Sequence, residues 1–467
     1  MSKVLFLEIN EVPFRLIDKY LPTGDYPNIQ RFFNESWQFE SFAVDKGELH
    51  PWVTWPTVHR GSSSEVHNVL HLGQDVKSFK GSAIWEDLRK EGKTIGLFGA
   101  LQSWPPKDPG ANGFYIPDTF AHDEQCIPKF VEPLQRMNLG QVKKNGRVVS
   151  KDLPSAKEIL DFVVSGFKCG ISLGTIAKLA AQLIGEKFDP VKRSRRPVFQ
   201  TILFWDVFKS LYFNKVEQID YASFFTNHVA GVMHRYWNHV FPEDFKSQNN
   251  GEQQATMRFA LETLDNMLSD VYGLLMNHPD LVVVFGTSMG QAAVYNDNHH
   301  GFELTVGDIE KLFVSLGFDR STFNPQLSMV PLIGVEFHEE AKIQEAIKAL
   351  NEVTYKGGQK AFEVERAGMS LCVKTLWPPV IDIKDGHLYR PQGAALTFAE
   401  SGIRVIETEA GTGYHVPEGI FAVHARNLGK QSKDQYRKRI DADKLKQVLL
   451  NLEHLGAEKA MTQLPLH

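Results

Sequence analysis

Short apolar runs rich in β-branched or aromatic residues recur between amphipathic stretches, at Lys3 to Ile9, Thr94 to Phe98, Gln218 to Thr226 and Leu281 to Phe285. Near-continuous apolar runs of this length suit strands covered on both faces, and parallel strands need helical crossovers to join them. The intervening segments supply such helices. Pro27 to Phe33 reads as a helix start with Pro in its first turn, and Ser82 to Glu91 as a helix closed by Gly92. The pattern predicts an α/β fold: a mixed, mainly parallel sheet flanked by helices.

At 467 residues the chain exceeds the size at which one hydrophobic core usually stops growing. Residues 1–149 read as the first part of a core and 214–328 as its second part. Between them, 150–213 carries helical periodicity at Ala156 to Val164 and Thr175 to Ile184, followed by the basic cluster Lys192 to Arg196, and reads as a helical insertion or cap. Residues 329–376 read as a small α+β lobe, with a helix over Glu339 to Val353 and strands near Phe362 and Leu371. Residues 377–467 complete the core, and Lys433 to Leu455 has the spacing of a terminal helix.

Composition excludes several classes of partner. A net charge of -5 is small for this length, so no whole-chain attraction to nucleic acid or acidic membrane is expected, although a local basic patch is compatible with it. The longest apolar candidate, Ile171 to Ile184, is broken by Lys178 and Gln182, which suits a packed or surface helix and not a transmembrane segment. The first apolar run reaches Glu8 too soon for a signal-peptide core. Cys126, Cys169 and Cys372 lie far apart, in agreement with a reducing compartment. These features together predict a cytoplasmic location.

Phosphoester chemistry on an α/β sheet gathers its groups where loops leave the C-terminal ends of strands. Four segments stand there: Glu8-Ile9-Asn10-Glu11 with the downstream Pro51 to Asn68 stretch, Thr226 to Arg235, Val284 to Gly290, and Gly413 to Phe421. Their order resembles the alkaline phosphatase superfamily, in particular its type I phosphodiesterase and nucleotide pyrophosphatase branch, over most of the chain. The resemblance implies an alkaline-phosphatase-like fold. Arg60-Gly61 and His67-Asn68 fall at the spacing of the family's T-G and H-G pairs. His234 falls at the His of its D-x-x-x-H pair, and His415 at its late metal-binding His.

The same frame has lost ligands. Ala230 stands where the Asp of D-x-x-x-H belongs, Thr287-Ser288 where Asp-His would ligate a second metal, and Asn10 where the first strand should end in Asp. Ungapped spacing puts Pro51 at the nucleophile position; a gap brings Thr54 there. A two-metal phosphoesterase needs several anionic or imidazole ligands, and Ala, Thr and Ser do not supply them. The surviving residues allow one divalent ion such as zinc, with His234, His415, Asn10 and Glu8 as its ligands, and argue against a two-zinc site. Thr54 is the candidate nucleophile, with His59 and His67 as candidate acid–base groups. His228, six residues before His234, is a candidate replacement ligand, and Asn298 to Gly301 reads as a solvated turn.

Two functions follow from the resemblance. One is a phosphoester hydrolase or transferase acting on a phosphorylated small molecule or nucleotide-linked sugar. The other is a pseudoenzyme that binds a phosphorylated ligand or a protein partner, with surface polysaccharide assembly as a setting suggested by analogy alone.

Overall fold

Val4, Leu5, Phe6, Leu7 and Ile9 are fully buried, as a strand covered on both faces requires. Leu5, Leu7 and Ile9 join one apolar cluster and Val4 and Phe6 the other, so period-two alternation divides the strand between two layers. The computed structural model describes residues 2–145, 164–245, 251–295, 302–326, 332–376, 386–391, 393–407 and 411–467. Among them, eight strands form the main sheet: β1 (Lys3–Ile9), β2 (Trp37–Phe42), β3 (Ile95–Phe98), β4 (Phe114–Ile116), β5 (Tyr221–Thr226), β6 (Leu281–Gly286), β7 (Glu418–Ala425) and β8 (Arg439–Asp441). Their order is β8-β2-β7-β6-β1-β5-β3-β4. Only β7 runs against its neighbours, β2 and β6. The sheet is therefore mixed and mainly parallel, with helices on both faces.

The helices Pro27–Glu35, Arg196–Tyr212, His228–Val240 and Gly251–Asn277 cover one face. Pro51–Arg60, Ile84–Lys90 and Leu445–Leu455 cover the other. The Pro-rich stretch after His50 is thus helical. Pro51 sits at its first position, where no backbone donor is needed, and Gly61 closes it with φ 68.

The tail departs from expectation. Only Leu445–Leu455 of the predicted long helix is one, because Arg439–Asp441 pairs parallel to β2 and buries Ile440. Of the predicted insertion, Leu173–Phe188 and Arg196–Tyr212 are helices, and 156–163 lies outside the described residues. So does the predicted turn at 298–301.

A second, antiparallel sheet orders Phe362–Ala367, Ser370–Thr375, Leu332–Phe337 and Phe323–Gln326, with Glu340–Glu352 packed on it. Its apolar cluster runs from Leu304 to Ile403, wider than 329–376, because Phe302–Val306 pairs with Ile403–Glu407 and joins the same core.

Candidate metal centre

Three chain segments meet beyond the end of β1. The first is the turn after that strand, in which Glu11 takes φ 60. This left-handed conformation costs a non-glycine residue about 1–3 kcal/mol, a cost usually met only where the surroundings over-determine the residue. The second is the His228–Val240 helix, which carries His234. The third is a two-stranded ribbon, Gly290–Ala293 paired antiparallel with Gly413–Val416, which sets His415 opposite Gln291.

Glu11 is the centre of this meeting. Its Oε2 lies 2.8 Å from His234 Nε2 and 3.4 Å from His415 Nε2. The two imidazole rings are 5.0 Å apart and nearly perpendicular. Gln291 Nε2 donates to the same carboxylate oxygen and to the carbonyl of Ala230. Burial works against charge on Glu11, but His415 and His234 prevail and hold its carboxyl well below the usual carboxylate range. Glu11, His234 and His415 together form a set of three ligand atoms within 4.8 Å of one another.

Asn10 supports this carboxylate. Its Nδ2 donates to Glu11 Oε1 and to Asn227 Oδ1, each at 2.7 Å, while its Oδ1 accepts from Trp55 Nε1 at 2.8 Å. An aspartate here would oppose Glu11 with a second negative charge and have no N–H to offer it. The amide at position 10 and the carboxylate at position 11 are therefore matched.

The orientation of His234 is fixed by close backbone approach. Its Nδ1 lies 2.9 Å from the carbonyl of Gly413, which can only accept, so Nδ1 carries the hydrogen. A Cβ on Gly413 would stand 2.6 Å from the carbonyl oxygen of Met233 and 2.8 Å from Gln291 Oε1, so only glycine allows the approach. With Nδ1 bonded to the Gly413 carbonyl, His234 Nε2 and Glu11 Oε2 stand 2.8 Å apart, a contact that needs a proton or another cation shared between them.

The other predicted residues are distributed as follows. Glu8 is fully buried, and its Oε2 lies 3.2 Å from His59 Nε2 instead of reaching the imidazoles of His234 and His415. Alternation sends Glu8 and Asn10 to the same face, where they meet His59 and Trp55, one helical turn apart on Pro51–Arg60. The left-handed turn brings Glu11 into the place expected for Glu8. His59 is also packed between Trp55 and Trp85. His67 Nδ1 accepts from the Val69 amide, so its Nε2 donates to Thr57, whose hydroxyl donates to Asp45. Burial, with Arg60 nearby, lowers His67 to about 4 and keeps it neutral. His67 thereby buttresses the Pro51–Arg60 helix, whereas His59, within that helix, faces the buried Glu8 carboxylate without a hydrogen bond to it.

Thr54 is fully buried, with its hydroxyl 2.8 Å from that of Ser288. Thr287 Oγ1 accepts from the Ile420 amide at 2.7 Å. Hydroxyls at both positions are therefore committed to internal bonds. His228 is not a ligand here: its Nε2 donates to the carbonyl of Ala260 and its Nδ1 accepts from Thr226, inside the core.

A polar fringe absent from the sequence expectations adjoins His415. Tyr414 stacks on it and donates to Glu48, which pairs at 2.8 Å with Lys374 from the second sheet. Against the effect of burial, Lys374 and Tyr414 bring Glu48 down to about 2. His50, stacked on Trp52, lies 6.3 Å from His415. Nothing in local sequence pattern marks Glu48 or Lys374, since the second sheet alone brings them together.

No family model matches this chain, and no curated protein matches it. Solved structures it resembles include human ectonucleotide pyrophosphatase/phosphodiesterase 5, with 10% identity and TM-score 0.42 over 97% of this chain and 95% of that one. The murine protein of the same name matches with 11% identity and TM-score 0.42 over 97% and 95%. Phosphonoacetate hydrolase from Sinorhizobium meliloti 1021, in complex with phosphonoformate, matches with 11% identity and TM-score 0.41 over 97% and 96%. At such identities and TM-scores the likeness carries no argument about chemistry, which rests on Glu11, His234 and His415 themselves.

Proposed function

We propose that the chain is a phosphoester-handling protein with a single divalent-metal site made by Glu11, His234 and His415. The observation that carries this reading is the buried Glu11 oxygen facing two imidazole Nε2 atoms, one of them on a ring whose Nδ1 hydrogen is already used by Gly413. Two neutral imidazoles and one carboxylate are a donor set suited to zinc. Ligand atoms about 2.0–2.2 Å from a tetrahedral ion stand roughly 3.4 Å apart, so the His415 contact fits and the His234 contact must open by about half an ångström. A divalent ion bound there supplies Lewis-acid charge to a phosphoryl oxygen.

The chain's own residues do the rest. Gly413 fixes the His234 tautomer, Asn10 and Gln291 hold the Glu11 carboxylate in place, and Tyr414 packs the ring of His415. Lys374, paired with Glu48 in the fringe, is a cation an anionic substrate would have to draw away from that carboxylate. Attack falls to water and not to Thr54, whose hydroxyl is buried on Ser288 with no titratable group bonded to it among the described residues. The substrate class is a phosphorylated small molecule, with a nucleotide-linked sugar as the finer expectation.

The 2.8 Å contact also favours a second reading, in which a proton occupies the site and the chain binds phosphorylated ligands without turnover. Hydrolysis of nitrophenyl phosphate mono- and diesters with added zinc or manganese separates the two. The catalytic reading expects turnover that His415→Ala abolishes and Thr54→Ala retains. An inert wild-type protein would leave the binding reading.

A further inference from the structure

The helix Leu173–Phe188 leaves a wide apolar stripe exposed. Its buried residues are Thr175, Gln182 and Glu186, and Ile176 and Leu179 pack partly buried on the core, whereas Leu173, Ala177, Ala180, Ala181, Ile184 and Phe188 face outward. Leu173 is 72% exposed, Ile184 59% and Phe188 86%. At 3.6 residues per turn these six positions fall within about 100° of arc, a continuous apolar stripe along a helix about 24 Å long. A surface helix of a globular protein turns its apolar stripe toward the core; here Ile176 and Leu179 do so, beside Gln182 and Glu186 bonded to the Lys192 carbonyl and to Arg196, and the wider stripe stays outside. Val191, 43% exposed, continues the apolar surface just beyond the helix.

The charge around this stripe is mainly positive. Lys178 and Lys187, both exposed, border it on opposite sides, Lys168 precedes the helix, and Lys192 and Arg193 follow it, with Asp189 at the helix end 3.8 Å from Lys192 as an opposing charge. Glu186 is the helix's single acid, and it is buried against Arg196 at 2.7 Å. A second copy laid antiparallel on this face would bring lysines together with no helix carboxylate to oppose them. An apolar stripe between lysines is instead the pattern of a helix lying in the plane of an anionic bilayer surface, with its lysines reaching to the headgroups. No helix among the described residues is long and apolar enough to cross a membrane, so attachment would be to the surface.

We infer that Leu173–Phe188 is a docking face for an anionic lipid surface. The test is co-sedimentation of the full chain with phosphatidylserine–phosphatidylcholine vesicles and with pure phosphatidylcholine vesicles. Binding is expected to the first and not the second, and to weaken with added salt. Ile184→Ser and Phe188→Ser should each weaken it about tenfold or more, since each removes a large apolar anchor. Lys178→Glu with Lys187→Glu should abolish it. All four side chains are exposed, so melting temperatures should not change. Absence of binding, equal binding to neutral vesicles, binding unaffected by these substitutions, or a dimer dissociated by Phe188→Ser in place of vesicle binding would each overturn the inference.

Discussion

Glu11→Gln separates a metal ligand from a structural carboxylate. Without metal, the substitution exchanges charge-assisted contacts, about 1.5–3 kcal/mol each, for neutral ones of about 0.5–1.5, and at the same time removes the cost of burying a charge. These effects oppose one another, so the stability of the metal-free protein should change by no more than about 1 kcal/mol. With metal, the loss should be larger. Removing a residue that merely supports a ligand costs up to about 100-fold in affinity, and losing the anionic ligand itself should cost at least that much. At a metal concentration 1,000 times the wild-type Kd, binding stabilises the native state by about 4 kcal/mol, and a hundredfold weaker site retains only about 1.4. With an unfolding entropy near 2.1 cal/mol/K per residue, a chain of 467 residues has a slope of about 1 kcal/mol per degree. The metal-induced rise in Tm should therefore fall from about 4 °C to about 1 °C or less. Differential scanning calorimetry of both proteins, with chelator and with zinc, measures this. A wild-type Tm indifferent to metal, or an undiminished rise in the variant, would refute the assignment of Glu11.

Three further outcomes are expected. Gly413→Ala places a methyl group against the Met233 carbonyl and should destabilise the protein by about 1–3 kcal/mol while weakening metal binding, which chemical denaturation and metal titration would detect. His228, brought to about 4 by burial, is neutral when folded, whereas the unfolded chain takes up its proton near 6.5; its contribution is complete above 6.5 and is lost as pH falls toward 4. That amounts to about 2 kcal/mol between pH 7 and 5, so the urea midpoint should drop over this interval, and less steeply in His228→Leu. Ser288→Ala leaves the buried Thr54 hydroxyl without its partner and should cost about 1–3 kcal/mol, much of it recovered when Thr54→Val is added; additive losses in that double-mutant cycle would contradict the pairing.

The sequence pattern was informative where physics acts locally. The uninterrupted apolar runs corresponding to β1, β5 and β6 are strands, because burial on both faces leaves a local signature. The parallel strand at Arg439–Asp441 left little trace, since a three-residue edge strand among charged residues has no periodicity to read. At the candidate site, the structure brings His234 and His415 together from segments 181 residues apart, whereas Glu8 and Glu11 differ only in backbone geometry. Strand alternation places Glu8 correctly beside Asn10; it says nothing of the φ 60 turn that carries Glu11 over the strand end. Nor does it show that Asn10, unlike an aspartate, can donate to Glu11. The exposure of the Leu173–Phe188 stripe is also invisible to periodicity alone, which identifies a stripe but not which way it faces.

The central claim is one cation-binding site per chain, and elemental analysis by inductively coupled plasma mass spectrometry of zinc-loaded, exhaustively desalted protein tests it most directly. One divalent ion per wild-type chain and none in His234→Ala/His415→Ala is the predicted result; a metal-free wild type, two ions per chain, or equal retention by the double variant would contradict it.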